Sequence, residues 1–141
     1  MRAAAASVLF VAACATTPSD RPPAEQLHGC WINRDVGVTT MRWLPDSARP
    51  GVLAGVRHVY RQTGAPQVTR YTLEPSEQGA SVCELDAERA ASKCWIVARG
   101  AGGSLEGGRV FIDTHGDRLR IAVAGEGPER VIFHGRRNGC D

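Results

Sequence analysis

Beyond residue 26 the chain consists of short apolar runs, each interrupted by Gly, Pro or Asp. The clearest alternation places Leu119, Ile121 and Val123 on one face and Arg118 and Arg120 on the other, which is typical of a half-buried strand. No run keeps a convincing helical period over three turns. The pattern predicts nine strands, near residues 29–34, 38–44, 51–61, 67–74, 79–84, 93–99, 108–114, 118–124 and 129–136.

Eight or nine short strands in a chain of 141 residues fit one all-β domain. Turn signals such as Gly116-Asp117 and Gly125-Glu126-Gly127 favour antiparallel hairpins between successive strands. We therefore predict a small antiparallel meander β-barrel, in which closure removes exposed sheet edges. A β-sandwich is the alternative.

The N-terminal residues have the pattern of a cleaved export signal. Arg2 supplies a positive charge, and an apolar run follows that is too short to span a bilayer as a helix. The sequence Val11-Ala12-Ala13-Cys14 resembles the bacterial lipobox, in which the cysteine is acylated and the peptide before it is removed. An ordinary secretory signal or a buried N-terminal helix is the alternative.

The lipobox resemblance divides the chain into a signal peptide (1–13), a lipidated N-terminus with a flexible tether (14–26) and a β-domain (27–141). It implies that Cys14 anchors the protein in a membrane of the cell envelope. Because Ala15 follows Cys14 where Asp would favour the inner membrane, we expect the outer membrane of a diderm bacterium, facing the periplasm.

Four further cysteines fit an exported protein. An even number of cysteines in an oxidising compartment indicates disulfides, and four cysteines allow three connectivities. In a closed barrel the first and last strands are neighbours, which favours a Cys30–Cys140 disulfide. The predicted strands 79–84 and 93–99 would form a hairpin, which favours a Cys83–Cys94 disulfide. A metal site is the alternative, although no Cys-x-x-Cys spacing supports it.

Gly29-Cys30-Trp31 at the first strand resembles the Gly-x-Trp opening of the lipocalin-like (calycin) barrels. The segments 41–45 and 51–57 extend this likeness to a bacterial lipocalin-like family of unknown function. The resemblance implies that Trp31 closes one barrel end beneath a basic residue of the last strand. We assign that role to Arg130, with Arg136 and Arg137 as alternatives.

Composition narrows the function further. Without Arg2 the chain has 16 basic residues (17 less one) against 15 acidic ones, so there is no electrostatic signature for nucleic acid. We find no catalytic motif, predict no cofactor or metal, and favour a non-enzymatic protein. Trp43 and His58 are the candidate ligand-binding residues, at the barrel mouth.

Two functions follow as hypotheses. The first is an envelope lipoprotein whose barrel binds a small apolar or amphipathic ligand, since an eight-stranded barrel can hold one small molecule. The second is a non-catalytic lipoprotein that docks a protein partner in the envelope through an exposed apolar patch. A filled barrel favours the second, and the short strands favour a filled or shallow interior.

Overall fold

The computed structural model describes residues 21–98, 108–125 and 127–140. The predicted signal peptide and Cys14 lie outside these residues. One short helix, α1 (Pro23–Leu27), precedes nine strands. The strands are β1 (Gly29–Asn33), β2 (Val38–Pro45), β3 (Leu53–Tyr60), β4 (Gln67–Ser76), β5 (Gly79–Leu85), β6 (Ala91–Val97), β7 (Gly108–His115), β8 (Arg118–Gly125) and β9 (Gly127–Asn138).

The nine strands close into one barrel in sequence order, which confirms the predicted fold class. One pairing differs from the predicted meander, because β6 and β7 run parallel over the pairs that begin at Trp95 and Gly108. In a strictly alternating ring of nine strands, β1 and β9 would run in the same direction. The single parallel pair reverses this parity, and β1 therefore pairs antiparallel with β9 at Trp31 and Arg137.

The antiparallel order gives the barrel two distinct ends. At the helix end, β1 begins, β9 finishes and α1 packs against the strands, with Leu27 fully buried. At the far end lie the connections between β1 and β2, between β3 and β4, and between β5 and β6. The predicted tether extended to residue 26, whereas the structure places residues 23–26 in α1, with Gln26 buried.

Alternate residues of each strand fill the barrel interior with bulky side chains. Together with Leu27 of α1, the largest fully buried side chains are Trp31, Trp43, Tyr71, Met41, Leu119, Ile121, Val82 and Val110. Side chains thus occupy the centre of the barrel, as expected for a barrel of this size. In the part of the chain that the structure describes, no helix is long and apolar enough to cross a membrane.

Candidate functional site

A plug of Leu27, Trp31 and Arg137 closes the helix end. The Trp31 Nε1 donates a hydrogen bond of 2.8 Å to the Leu27 carbonyl oxygen, so this buried indole is satisfied. The Arg137 Cζ lies 4.3 Å from the centroid of the Trp31 ring, and Arg137 Nη1 donates to the His28 carbonyl at 3.2 Å. The cation–π contact and both hydrogen bonds fix the plug without any other molecule.

Arg137, and not Arg130, supplies the cation over Trp31. Arg137 lies directly opposite Trp31 in the β1–β9 ladder. Arg130 is exposed and lies opposite Val123, beyond a bulge that leaves Ile132 as an extra residue in β9. The assignment to Arg130 was therefore wrong, and the predicted alternative Arg137 is correct.

Both predicted disulfides are present. Cys30 of β1 joins Cys140, with their Cα atoms 5.2 Å apart, and so ties the end of the chain to the first strand. Cys83 and Cys94 lie directly opposite each other on β5 and β6, with their Cα atoms 4.0 Å apart. No cluster of three metal-binding side chains occurs within the described residues.

A second group of side chains, here called the donor cluster, comprises Trp43, Arg57 and Tyr71 on β2, β3 and β4. Trp43 and Tyr71 face inward on either side of Gly55, in one row across the three strands. Their ring centroids are 6.1 Å apart. The Arg57 Cζ lies 5.8 Å from the Tyr71 centroid. The three side chains therefore meet inside the barrel wall, around Tyr71.

Gly55 makes this arrangement possible. A Cβ atom at Gly55 would lie 2.7 Å from ring carbons of Trp43, which is closer than packed atoms approach. The missing side chain lets the indole lie across β3 towards Tyr71. Glycine in a strand interior often marks such a close approach.

Each member of the donor cluster has a buried donor with no hydrogen-bond partner among the described residues. These atoms are Trp43 Nε1, Arg57 Nε and Tyr71 Oη. Burying an unsatisfied donor costs about 1–3 kcal/mol. Other buried polar atoms without a partner belong to Thr72, Ser76 and Arg109, outside this cluster.

The donor cluster is positively charged and acts as a donor at neutral pH. Burial raises the pKa of the Tyr71 hydroxyl, and the Glu84 charge adds to that rise. The Arg57 and Arg130 charges and the Thr69 side chain oppose the rise in pKa. Tyr71 therefore stays protonated and able to donate. Indole and guanidinium groups have donors only. The complementary group is an acceptor, and a carboxylate or phosphate oxygen gives the strongest such bonds.

Arg57 connects the donor cluster to an open cleft. Its Nη1 donates to the Ile132 carbonyl oxygen at 2.8 Å, and its Nη2 donates to Thr69 Oγ1 at 3.3 Å. The cleft beside Ile132 has a volume of about 310 Å³. It lies near the far end, and its walls include Val36, Thr39, Val131, Ile132 and Phe133, together with Asn33, Asp35 and His134.

The two predicted ligand-binding residues have different positions. Trp43 is fully buried in the donor cluster and does not form the rim of a mouth. His58 alternates with the inward residue Arg57, and its ring stacks on the outer side chain of Tyr60 with centroids 6.0 Å apart. His58 therefore lies on the outer surface of the barrel and does not line the interior.

His134 approaches a carboxylate in the cleft, since its Nδ1 lies 3.8 Å from Asp35 Oδ2 and 3.1 Å from Asn33 Nδ2. Both side chains of the His134–Asp35 pair are exposed. No hydroxyl or thiol is hydrogen-bonded to His134 within the described residues. The arrangement therefore lacks the contact between nucleophile and base that covalent catalysis needs.

Comparisons of this chain with family profiles, curated proteins and solved structures gave no match.

Proposed function

We propose that this protein is a lipid-anchored binding module of the cell envelope, which takes a small amphipathic ligand with an anionic head in the cleft at the far end. Because side chains fill the barrel centre, only the head group would reach inward, towards Arg57. The observation that supports the proposal is the donor cluster, in which three buried donors around Tyr71 lack acceptors in the described structure. One carboxylate or phosphate group offers several acceptor oxygens to such a cluster.

The cleft beside the donor cluster suits the apolar part of such a ligand. Val131 and Val36 are exposed in its walls, with 43% and 93% of their surfaces accessible. A volume of about 310 Å³ is at the small end of the range for ligand sites. Arg57 donates to the carbonyl of Ile132, which lines the cleft, so a head group at Arg57 and a tail in the cleft would lie close together.

Binding of decanoate, decan-1-ol and decyltrimethylammonium to the exported, oxidised protein tests this proposal, with tryptophan fluorescence as the readout. The three probes share one tail and carry an anionic, a neutral and a cationic head. We expect decanoate to bind at least about ten-fold more tightly than decan-1-ol, since a charged hydrogen bond contributes about 1.5–3 kcal/mol.

Arg57→Met is the decisive variant, and Arg42→Met is its matched control, because Arg42 is exposed on the outer face of β2. We expect Arg57→Met to abolish the preference for decanoate, and Arg42→Met to retain it. Equal affinities for the three probes, or a preference that survives Arg57→Met, would contradict the proposed head-group site.

The lipid anchor is tested separately by labelling growing cells with radioactive palmitate. Cys14 is the proposed attachment point, so wild-type protein should incorporate label and Cys14→Ser should not. The disulfides support an oxidising compartment, which is where envelope proteins fold. Label that persists in Cys14→Ser would place the acyl group elsewhere.

A further inference from the structure

A row of three cationic or titratable side chains crosses the outer face of the barrel at the helix end. His115, Arg118 and Arg136 lie directly opposite one another on β7, β8 and β9. All three are exposed, while the neighbouring residue Leu119 is buried inside. We call these residues the arginine row.

The arginine row is not neutralised by the rest of the described structure. Arg118 and Arg136 form no ion pair with a described carboxylate. Like charges placed directly opposite each other in a sheet destabilise it. The row therefore retains an unfavourable pair, which an external anion would relieve.

The next row along the same strands is different. Arg120 forms an ion pair with Glu129, and His134 lies 3.8 Å from Asp35. Asp113 lies directly opposite Arg120 on β7. The arginine row lies in an open cleft of about 830 Å³, which also includes Arg34, Arg137 and the carboxylates of Asp35 and Asp113. Asp113 and Asp35 lie beside Arg120 and His134, so the arginine row is the part of this cleft without a carboxylate partner in the described structure.

The arginine row lies beside the point where the tether joins the barrel. Gln26 of α1 accepts a hydrogen bond of 3.1 Å from Thr114 Oγ1, next to His115 in β7. The seven steps from Cys14 to Arg21 span at most about 25 Å when fully extended. An acylated Cys14 would therefore hold this end of the barrel close to the bilayer.

We propose that the arginine row docks on the phosphate groups of anionic lipids. Guanidinium groups bind phosphate oxygens in a bidentate geometry. This contact directs the helix end towards the membrane and leaves the far end, with its cleft, facing the aqueous compartment. The docking surface uses no residue of the donor cluster, and only the orientation depends on the proposed anchor at Cys14.

The test measures binding of the oxidised mature chain, with Cys14→Ser and exported behind a separate signal, to lipid vesicles. One vesicle is pure phosphatidylcholine, and the other contains about 30% phosphatidylglycerol. We expect clear binding to the anionic vesicle alone. Removing two surface arginines should weaken that binding about thirty-fold, at roughly five-fold for each residue.

Arg118→Gln/Arg136→Gln is the test variant, and Arg61→Gln/Arg70→Gln is the control. Both remove two exposed charges, but Arg61 follows β3 at the far end and Arg70 lies on β4. We expect a large loss in the first and a small one in the second. An equal loss in both, or equal binding to the two kinds of vesicle, would overturn the lipid-docking proposal.

Loss of binding through misfolding is excluded by a second measurement. Because the variant removes a like-charged pair, we expect its urea midpoint to equal or exceed that of the wild type. Decanoate binding should also be unchanged in the variant, since Trp43, Arg57 and Tyr71 lie on other strands. Failure of decanoate binding in the wild type would concern the proposed function alone.

Discussion

Trp31 and Trp43 are both almost fully buried, at 1% and 0% exposure, yet their surroundings differ. The indole N–H of Trp31 has an acceptor in the Leu27 carbonyl, and a cation covers its ring. The indole N–H of Trp43 has no acceptor among the described residues. The plug is thus complete in itself, whereas the donor cluster has donors for which the described residues supply no acceptor.

The covalent link that reinforces the helix end gives the largest expected effect. Cys30–Cys140 closes a loop of 110 residues, and Cys83–Cys94 closes one of 11. By loop entropy, removing the first should cost about 5 kcal/mol and the second about 3 kcal/mol. Urea unfolding of the two double Cys→Ala variants, without reductant, measures both costs.

If removal of each disulfide lowered the free energy of unfolding by the same amount, the stronger stabilisation expected from the longer loop of Cys30–Cys140 would be wrong. The Cys83→Ala/Cys94→Ala variant also serves as the control for loss of a disulfide as such. Its bridge joins strands that already pair through the β5–β6 ladder.

Gly55 carries the next largest effect, in the donor cluster. Gly55→Ala places a methyl group against the Trp43 ring, and overpacking of this kind costs about 1–3 kcal/mol. It should also weaken decanoate binding, because the indole must move. Gly127→Ala is the control, since nothing lies within 4 Å of its added Cβ. Thermal unfolding of both variants checks the difference.

The Gly127→Ala variant should keep its stability within about 0.5 kcal/mol of the wild type. If Gly55→Ala were equally harmless, the Trp43 ring would have room to shift. The tight packing inferred around the donor cluster would then be wrong.

Replacing each tryptophan in turn with phenylalanine compares the two sites. Trp31→Phe leaves the Leu27 carbonyl without its donor and removes the best ring for the Arg137 cation. Trp43→Phe removes the same volume but also removes an unsatisfied donor. We expect Trp31→Phe to be more destabilising by about 1–2 kcal/mol in urea unfolding. A larger cost for Trp43→Phe would show that its N–H is already satisfied.

Local sequence patterns were sufficient for the strands but not for every pairing. Alternation located Leu119, Ile121 and Val123, and the structure buries all three. The direction of the β6–β7 pair has no local signature, because it depends on how the chain returns after Val97. Similarly, the bulge at Ile132 shifts the parity of β9, so the position of Arg130 relative to Trp31 could not be counted along the sequence.

The donor cluster was not predicted from the sequence, because one of its members is a charged residue on the inner face of a strand. Arg57 lies in the predicted strand 51–61, where a charged residue is usually assigned to the solvent face. Its spacing of two from Gly55 places both on one face, which was a usable signal. The same rule applied to His58 places that residue outside. Partners on other strands, such as the Ile132 carbonyl, need the closed barrel to be known.

The smallest expected effect concerns the protonation of Tyr71 and links the donor cluster to its ligand. Because burial raises the pKa of this phenol, the folded protein holds the proton more tightly than the unfolded chain does. The associated stability is present below the unfolded pKa of about 10 and is lost as pH rises towards the folded value. Tyr71→Phe should therefore remove part of the decline in the free energy of unfolding at alkaline pH. In an absorbance titration, it should also remove the step of tyrosinate formation that occurs at the highest pH.

The same absorbance step reports on the ligand. A bound carboxylate beside the phenol disfavours the phenolate further, so decanoate should move that step to higher pH, and decan-1-ol should move it less. If decanoate moved the tyrosinate absorbance step to lower pH, the head group would not lie against Tyr71.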